Sequence, residues 1–227
     1  MMSKRLALLG LLLLVPVPSV GVLAGVVLTP GSVLGRVVFL SGKVWLVGLP
    51  LFWYLVLEKG KVSWSRPARG GLGVGAVLGV LIGLAIGAVY WAAGEALIER
   101  AAVQQMAQRV GLANRYVYVA GAVYWVVVNA VLEEYVWRWF VVKECRALIG
   151  AWGAVVVSAV CFTVHHAIAM QVYFSWEVVA LASAGICVGG MVWSWCYVRY
   201  GSIWPGYVSH AIVDVAVFAV GYDLIFG

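Results

Sequence analysis

Long apolar runs alternate with short polar stretches along the whole 227-residue chain. A helix of about 20 apolar residues can cross the ~30 Å hydrocarbon core of a bilayer. The pattern therefore predicts an all-α fold, a polytopic transmembrane helical bundle of about seven spans, with a kink near Pro16 and Pro18 in the first. The spans are expected near residues 6–28, 37–57, 71–93, 116–142, 148–170, 178–198 and 206–222.

Composition supports an integral, multi-pass membrane protein without a separate soluble domain. The chain is 65% hydrophobic and 11% charged, whereas soluble domains are about 45–50% apolar and about 25% charged. The net charge of +6 comes from cations scattered among the spans, so we expect no nucleic-acid binding. The four cysteines form no CxxC pair and indicate neither a disulfide framework nor a zinc site.

Two polar stretches connect the predicted spans. Residues 58–69 carry four cations, which face the cytoplasm by the positive-inside rule. Residues 95–115 mix charges with apolar positions at near-helical spacing, which predicts an amphipathic helix at the membrane interface. Lys143 and Arg146 are assigned to a short basic loop, and Lys43 is expected to reach an interface. With the N-terminus inside, ten cations flank the cytoplasmic side and four the outer side, so a cytoplasmic N-terminus is predicted.

The third span carries glycines at every fourth position from residue 71 to residue 87. This spacing places them in one smooth stripe along a helix. We expect a neighbouring helix to pack closely against that stripe.

Three charged side chains interrupt the fourth span: Glu133, Glu134 and Arg138. A charged side chain in mid-membrane costs about 2.5–3.5 kcal/mol on insertion scales, so these three charges need partners that offset this cost. Glu134 and Arg138 lie four residues apart on one helix face and can form an ion pair. Glu133 points about 100° away and has no obvious local partner.

All three histidines also lie in predicted spans, His165 and His166 in the fifth and His210 in the seventh. Phe162 shares a helix face with His166, and Asp214 shares one with His210, because each pair is four residues apart. Ionisable residues on apolar helices are expected to face one another or a water-filled cavity. The predicted boundaries nevertheless place the acidic group and the paired histidines at opposite ends of neighbouring spans.

Three motifs follow in order along these spans: Glu133-Glu134-x-x-x-Arg138, Phe162-x-x-x-His166 and His210-x-x-x-Asp214. Together with the Gly-Ser-Ile-Trp-Pro turn before the last histidine, they resemble the CPBP family. This family comprises CAAX prenyl endopeptidases and bacteriocin-processing proteins and is also called the Abi family. The resemblance covers about residues 116–222. We therefore divide the chain into residues 1–115, with the N-terminal spans and connectors, and residues 116–227, a catalytic membrane core.

The resemblance implies a glutamic-type intramembrane protease. Glu133 would be the general base, and His166 would help to hold and activate the attacking water. His210 and Asp214 would stabilise the oxyanion. The chemistry agrees, because a carboxylate in low-dielectric surroundings is a stronger base and a histidine donor binds an oxyanion tightly where water is scarce.

Four further residues would support the site. Glu134 and Arg138 would brace it, and Phe162 opens the second motif. His165 falls outside the motif register and is assigned a supporting role.

Asp214 departs from the family pattern, because many members have asparagine at this position. An ionised aspartate cannot donate a hydrogen bond to an oxyanion. Asp214 is therefore either protonated, or ionised and paired with His210 so that an imidazolium faces the oxyanion. We favour the second hypothesis, since the four-residue spacing allows contact.

Other functions stay open at this point. A metal-dependent protease could use Glu133, His166 and His210 as zinc ligands, although the chain has no HExxH motif. A proton-coupled transporter could use the acid–histidine chain as a relay, although no inverted repeat is visible. A non-catalytic scaffold or immunity protein is a further alternative. The favoured prediction has no cofactor, a membrane-associated peptide or protein as substrate, and the lipid bilayer as surroundings.

Overall fold

The computed structural model describes residues 4–62 and 65–227, and these residues form seven helices and no strand. Helix α4 (Arg100–Arg109) is short. The other six are long and apolar enough to cross a membrane: α1 (Lys4–Leu28), α2 (Val33–Leu57), α3 (Leu72–Leu97), α5 (Arg115–Met170), α6 (Trp176–Tyr200) and α7 (Trp204–Phe226). The predicted all-α, multi-pass membrane architecture is confirmed. In α1 the regular helix is interrupted at Val15, directly before Pro16, where the kink is predicted.

Helix α5 reverses direction at Gly150. Its 56 residues would extend about 84 Å as one straight helix, far more than the ~30 Å hydrocarbon core. Gly150 has φ 79° and ψ 180°, a conformation that glycine adopts readily. Beyond it, Ser158 donates a 3.0 Å hydrogen bond to the carbonyl oxygen of Trp137 on the preceding arm. We call the arms α5a (115–149) and α5b (151–170). The described helices therefore supply seven passes.

The sequence-based boundaries at this reversal were wrong. Lys143 and Arg146 lie within the helical part of α5a and not in the predicted loop. The turn at Gly150 places Glu133 17 residues before it and the paired histidines 15 and 16 residues after it. The expected conflict in depth disappears, because Glu133 and the paired histidines lie at nearly equal distances from the same turn, each on its own arm of α5.

Helix α3 packs against α7 through the glycine stripe. A Cβ added at Gly75 would overlap the carbonyl oxygen of Pro205, and one at Gly79 would lie 2.8 Å from the carbonyl oxygen of Ser209. At Gly87, by contrast, an added Cβ would meet nothing within 4 Å. The predicted close packing is therefore confirmed over the part of the stripe that faces the start of α7.

Short helix α4 forms within the predicted amphipathic segment and docks on the end of α7. Arg100 forms an ion pair of 2.9 Å with Asp223. Gln104 donates a hydrogen bond of 3.3 Å to the carbonyl oxygen of Leu224. Its placement at the membrane interface stays a prediction. In the basic stretch at 58–69, residues 63 and 64 lie outside the described residues.

Candidate active site

The acidic and histidine side chains of α5a, α5b and α7 meet between these helices. Ligand atoms of Glu133, His165 and His166 all lie within 4.8 Å of one another. His210 joins them from α7, with its Nε2 3.6 Å from Oε2 of Glu133. We call the following seven residues the polar cluster: Glu133, Glu134, Arg138, His165, His166, His210 and Asp214.

Glu133 has a local partner that the sequence analysis missed. Nδ2 of Asn129, four residues earlier on the same helix, donates a 2.8 Å hydrogen bond to Oε1 of Glu133. The other oxygen, Oε2, faces His210. One oxygen of this carboxylate is therefore held, while the other is directed toward the cluster.

Glu134 and Arg138 form the predicted ion pair in a fully buried position. Nε of Arg138 lies 3.4 Å from Oε1 of Glu134, and both side chains are 0% exposed. The guanidinium also lies 4.7 Å and 5.2 Å from the ring centroids of Phe162 and Trp193, within cation–π range. Oε1 of Glu134 is in addition 3.0 Å from Nδ1 of His210. Glu134 therefore connects the buried arginine to the histidine of α7.

His210 is oriented by contacts around its ring. The ring stacks on Trp193 with a centroid distance of 3.8 Å. Because an ionised carboxylate only accepts hydrogen bonds, the ring nitrogen that faces Glu134, Nδ1, carries a proton. Nε2 lies 3.6 Å from Glu133 and 3.7 Å from Oδ1 of Asp214. Three carboxylates thus surround one imidazole, and the structure brings His210 and Asp214 within ion-pair distance.

The adjacent histidines of α5b are held in different ways. Nδ1 of His166 lies 2.9 Å from the carbonyl oxygen of Phe162. A carbonyl only accepts, so Nδ1 carries the proton and Nε2 remains for another ligand. His165 instead stacks on Trp137, with rings 5.4 Å apart and 3° from parallel.

A cavity of about 230 Å³ lies beside the polar cluster, between α1, α2 and both arms of α5. Glu133, His165 and His166 line one side. Mainly apolar side chains of α1 and α2, including Val22 and Phe39, line the opposite side. The two N-terminal helices, which carry no motif, therefore form a wall of the candidate site.

Sequence reasoning missed three residues of the site. The contact of Asn129 could have been predicted, because Asn129 lies four residues before Glu133, the same spacing that predicts the Glu134–Arg138 pair. Lys43 does not follow its predicted path to an interface, because its Nζ donates a 2.9 Å hydrogen bond to Oδ1 of Asn129, 86 residues away. Trp193 is one of 12 tryptophans and has no local pattern that distinguishes it.

Glu133, His165 and His166 are also a group that could hold a metal ion. Carboxylate oxygens and imidazole nitrogens are zinc ligands. The bond from His166 to a backbone carbonyl is an arrangement that orients metal-binding histidines. This group differs from the ligand set considered on sequence grounds, because it contains His165 in place of His210.

These features define a class of protein: a helical membrane protein with a buried acid–histidine cluster open to a cavity. Residues 115–216 match the family model of the Rce1-like type II CAAX prenyl endopeptidases. This match supports a CPBP/CAAX intramembrane protease family for the segment, so the resemblance based on the three motifs is confirmed. All three motifs lie inside the matched segment, whereas α1 to α4 lie outside it. No curated protein and no solved structure matches the chain.

Proposed function

We propose that the chain is an intramembrane endopeptidase that hydrolyses peptide bonds of membrane-anchored or C-terminal segments by glutamic catalysis. The observation that carries this proposal is the arrangement of Glu133 and His166. Oε1 of Glu133 accepts a hydrogen bond from Asn129, and Nδ1 of His166 donates one to the carbonyl oxygen of Phe162. Both side chains line the same cavity. Membership of the matched segment in a protease family supports the reaction class.

A single water molecule can bridge Glu133 and His166. Their ligand atoms lie within 4.8 Å, a separation that two hydrogen bonds of about 2.8 Å span when they meet at an angle. Glu133 would remove a proton from this water while the oxygen attacks the carbonyl carbon of the scissile bond. His166 would orient the water through Nε2. The proton on Glu133 would then pass to the departing nitrogen as the C–N bond breaks.

His210 would face the oxygen that becomes negative in the tetrahedral intermediate. Because its Nδ1 already donates to Glu134, the ring can donate to the oxyanion only through Nε2, which requires a second proton. An ionised Asp214, 3.7 Å from Nε2, would favour this imidazolium form. Asp214 would therefore act through His210, although it cannot itself donate to the oxyanion. A cation facing the oxyanion in a low-dielectric site stabilises the transition state strongly.

The remaining cluster residues would hold this arrangement in place. Glu134 fixes His210 at Nδ1, and Arg138 compensates the charge of Glu134. The carbonyl oxygen of Phe162 fixes the tautomer of His166. His165 supports His166 through ring contact, with centroids 4.1 Å apart.

We also propose that the N-terminus lies in the cytoplasm. Arg138 is buried in the site and no longer counts as a flanking residue, so nine of the original ten cations remain on the cytoplasmic side against four outside. The turn at Gly150 would then face the cytoplasm. A cysteine introduced at Lys61, which is exposed, should react with a membrane-impermeant thiol reagent only after the inner face becomes accessible.

The test of the proposed reaction is cleavage of a panel of membrane-anchored peptides by the full chain reconstituted in lipid. Glu133→Gln removes the base and should lower kcat/KM by at least about 100-fold. Glu95→Gln, at an exposed glutamate far from the cluster in sequence, is the matched control and should cleave normally. Full activity of Glu133→Gln would overturn the proposal.

A metal-dependent protease is the second candidate, and the grouping of Glu133, His165 and His166 favours it. A bound divalent cation would polarise the scissile carbonyl or the attacking water. Cleavage that is lost in EDTA and restored by zinc would select this candidate. Cleavage that resists EDTA would select glutamic catalysis.

A further inference from the structure

The inference concerns Lys43 and Asn129, and it rests on the proposed role of Glu133. Lys43 belongs to α2, outside the segment that matches the protease family. Its ammonium lies in the cavity wall, 5.7 Å from the ring centroid of Phe39 and 6.0 Å from that of Trp125. No carboxylate among the described residues lies within 4.0 Å of it, and its hydrogen-bond partner is Asn129.

A continuous hydrogen-bonded chain leads from this lysine to the base. Nζ of Lys43 donates to Oδ1 of Asn129 at 2.9 Å, and Nδ2 of Asn129 donates to Oε1 of Glu133 at 2.8 Å. We infer that Lys43 and Asn129 are positioning residues, contributed by two different helices, that orient the catalytic carboxylate of Glu133.

The chemistry of the amide explains why the lysine is required. An asparagine side chain presents an acceptor on one side and donors on the other, and the two sides exchange when the amide flips. An ammonium group has donors and no acceptor, so it can meet only the amide oxygen. Lys43 therefore forces Asn129 to present its NH₂ group to Glu133. With the amide flipped, two oxygens would face each other.

The two oxygens of Glu133 therefore have different roles in the proposed reaction. Oε1 is occupied by Asn129, which fixes the rotation of the carboxylate. Oε2 is left on the side of His210. The cation also polarises the amide and strengthens the second bond of the chain, as expected for linked hydrogen bonds in low-dielectric surroundings.

The kinetic test uses the full chain in lipid and a peptide that the wild-type protein cleaves. Asn129→Leu should lower kcat by about 10- to 100-fold and Lys43→Met by about tenfold, because the base is misplaced. KM should stay within about twofold in both variants, since neither residue is assigned to substrate binding. Lys43→Arg, which keeps the donors, should recover most of the rate. Lys61→Met is the matched control, because it removes a cation at an exposed position.

A double variant distinguishes a Lys43 that acts through Asn129 from two residues that act independently on the rate. If Lys43 acts only through Asn129, the kcat of Lys43→Met/Asn129→Leu should equal that of Asn129→Leu alone. Losses that multiply would overturn the inference. A loss confined to KM would also overturn it, since Lys43 would then contact the substrate.

An infrared measurement tests the inference without relying on cleavage. The carboxylate band of Glu133 is isolated as the difference between the spectra of the wild-type protein and Glu133→Gln. The band should shift when Asn129→Leu removes the bond to Oε1, and it should shift less in Lys43→Met. An unchanged band in both variants would overturn the inference. A shifted band together with a fully active Glu133→Gln would uphold the orientation of Glu133 and refute only the proposed catalytic role.

Discussion

The candidate site is assembled from two regions that differ in kind. Helices α5 and α7 supply every member of the polar cluster, and the cluster's two contacts within a single helix, Glu134–Arg138 and His210–Asp214, have four-residue spacing. Helices α1 and α2 supply an apolar cavity wall and one cation, Lys43. The family match covers α5 and the first part of α7, to residue 216, and none of α1 and α2. The reactive groups are thus recognisable in the sequence, whereas the surface that surrounds them is recognisable only in the folded chain.

This contrast has a physical origin. A helix brings residues four apart onto one face, so local spacing reports which side chains act together. A cavity wall requires only apolar side chains of suitable size, which many sequences can supply. We therefore expect changes in α5 and α7, and at Lys43, to act mainly on kcat, and changes at the apolar side chains of the wall to act mainly on KM.

The largest effect is expected at the adjacent histidines of α5b, because His166 and His165 have different proposed roles. His166→Gln should lower kcat by about 100-fold or more, because the water loses its second partner. His165→Phe keeps the stack on Trp137 and should retain activity within about threefold under glutamic catalysis. Peptide cleavage by both variants is the measurement. Equal and severe losses would favour the metal-dependent alternative, which uses both histidines.

The next effect is expected at Gly150, which sets the relative depth of α5a and α5b. Gly150→Ala places a side chain at φ 79° and should destabilise the fold by about 1–3 kcal/mol. Gly121→Ala is the matched control, because an added Cβ meets nothing within 4 Å at either glycine but Gly121 is helical. The control should be neutral or slightly stabilising. Thermal unfolding in detergent measures both variants, and equal unfolding temperatures would contradict the role of the backbone conformation.

A smaller effect is expected in the cavity wall. Phe39→Ala removes an apolar ring from the side opposite the polar cluster. Losing about 1 kcal/mol of apolar contact should raise KM about fivefold and leave kcat nearly unchanged. Steady-state kinetics on the best peptide of the panel provides the measurement. A fall in kcat with constant KM would contradict the expectation that the apolar wall acts on KM and the polar cluster acts on kcat.

The smallest effect on the rate is expected at Asp214. Asp214→Asn preserves shape and should change the maximal rate by no more than about threefold, because Glu133 and Glu134 still face His210. The alkaline limb of the pH–rate profile should move to lower pH, since one of three carboxylates that favour the imidazolium is lost. A pH profile and a rate that both match the wild-type protein would refute the pairing of Asp214 with His210.

Much of the candidate site was accessible from the sequence. The pairing of Glu134 with Arg138 and the approach of Asp214 to His210 both follow from four-residue spacing, and both occur. The contact of Phe162 with His166 follows in the same way. The assignment of catalytic roles to these residues stays a prediction until the variants are measured.

The sequence by itself determined the all-α membrane bundle and the faces of each helix, because hydrophobic run length and helical periodicity are local properties. Only the tertiary structure decided where the 56-residue stretch reverses, because an apolar run does not mark its own turn. It also decided that Lys43 reaches Asn129 and that Trp193 stacks on His210. Such contacts depend on how helices rotate and slide against one another, and that arrangement is settled by packing over the whole bundle rather than by any one segment.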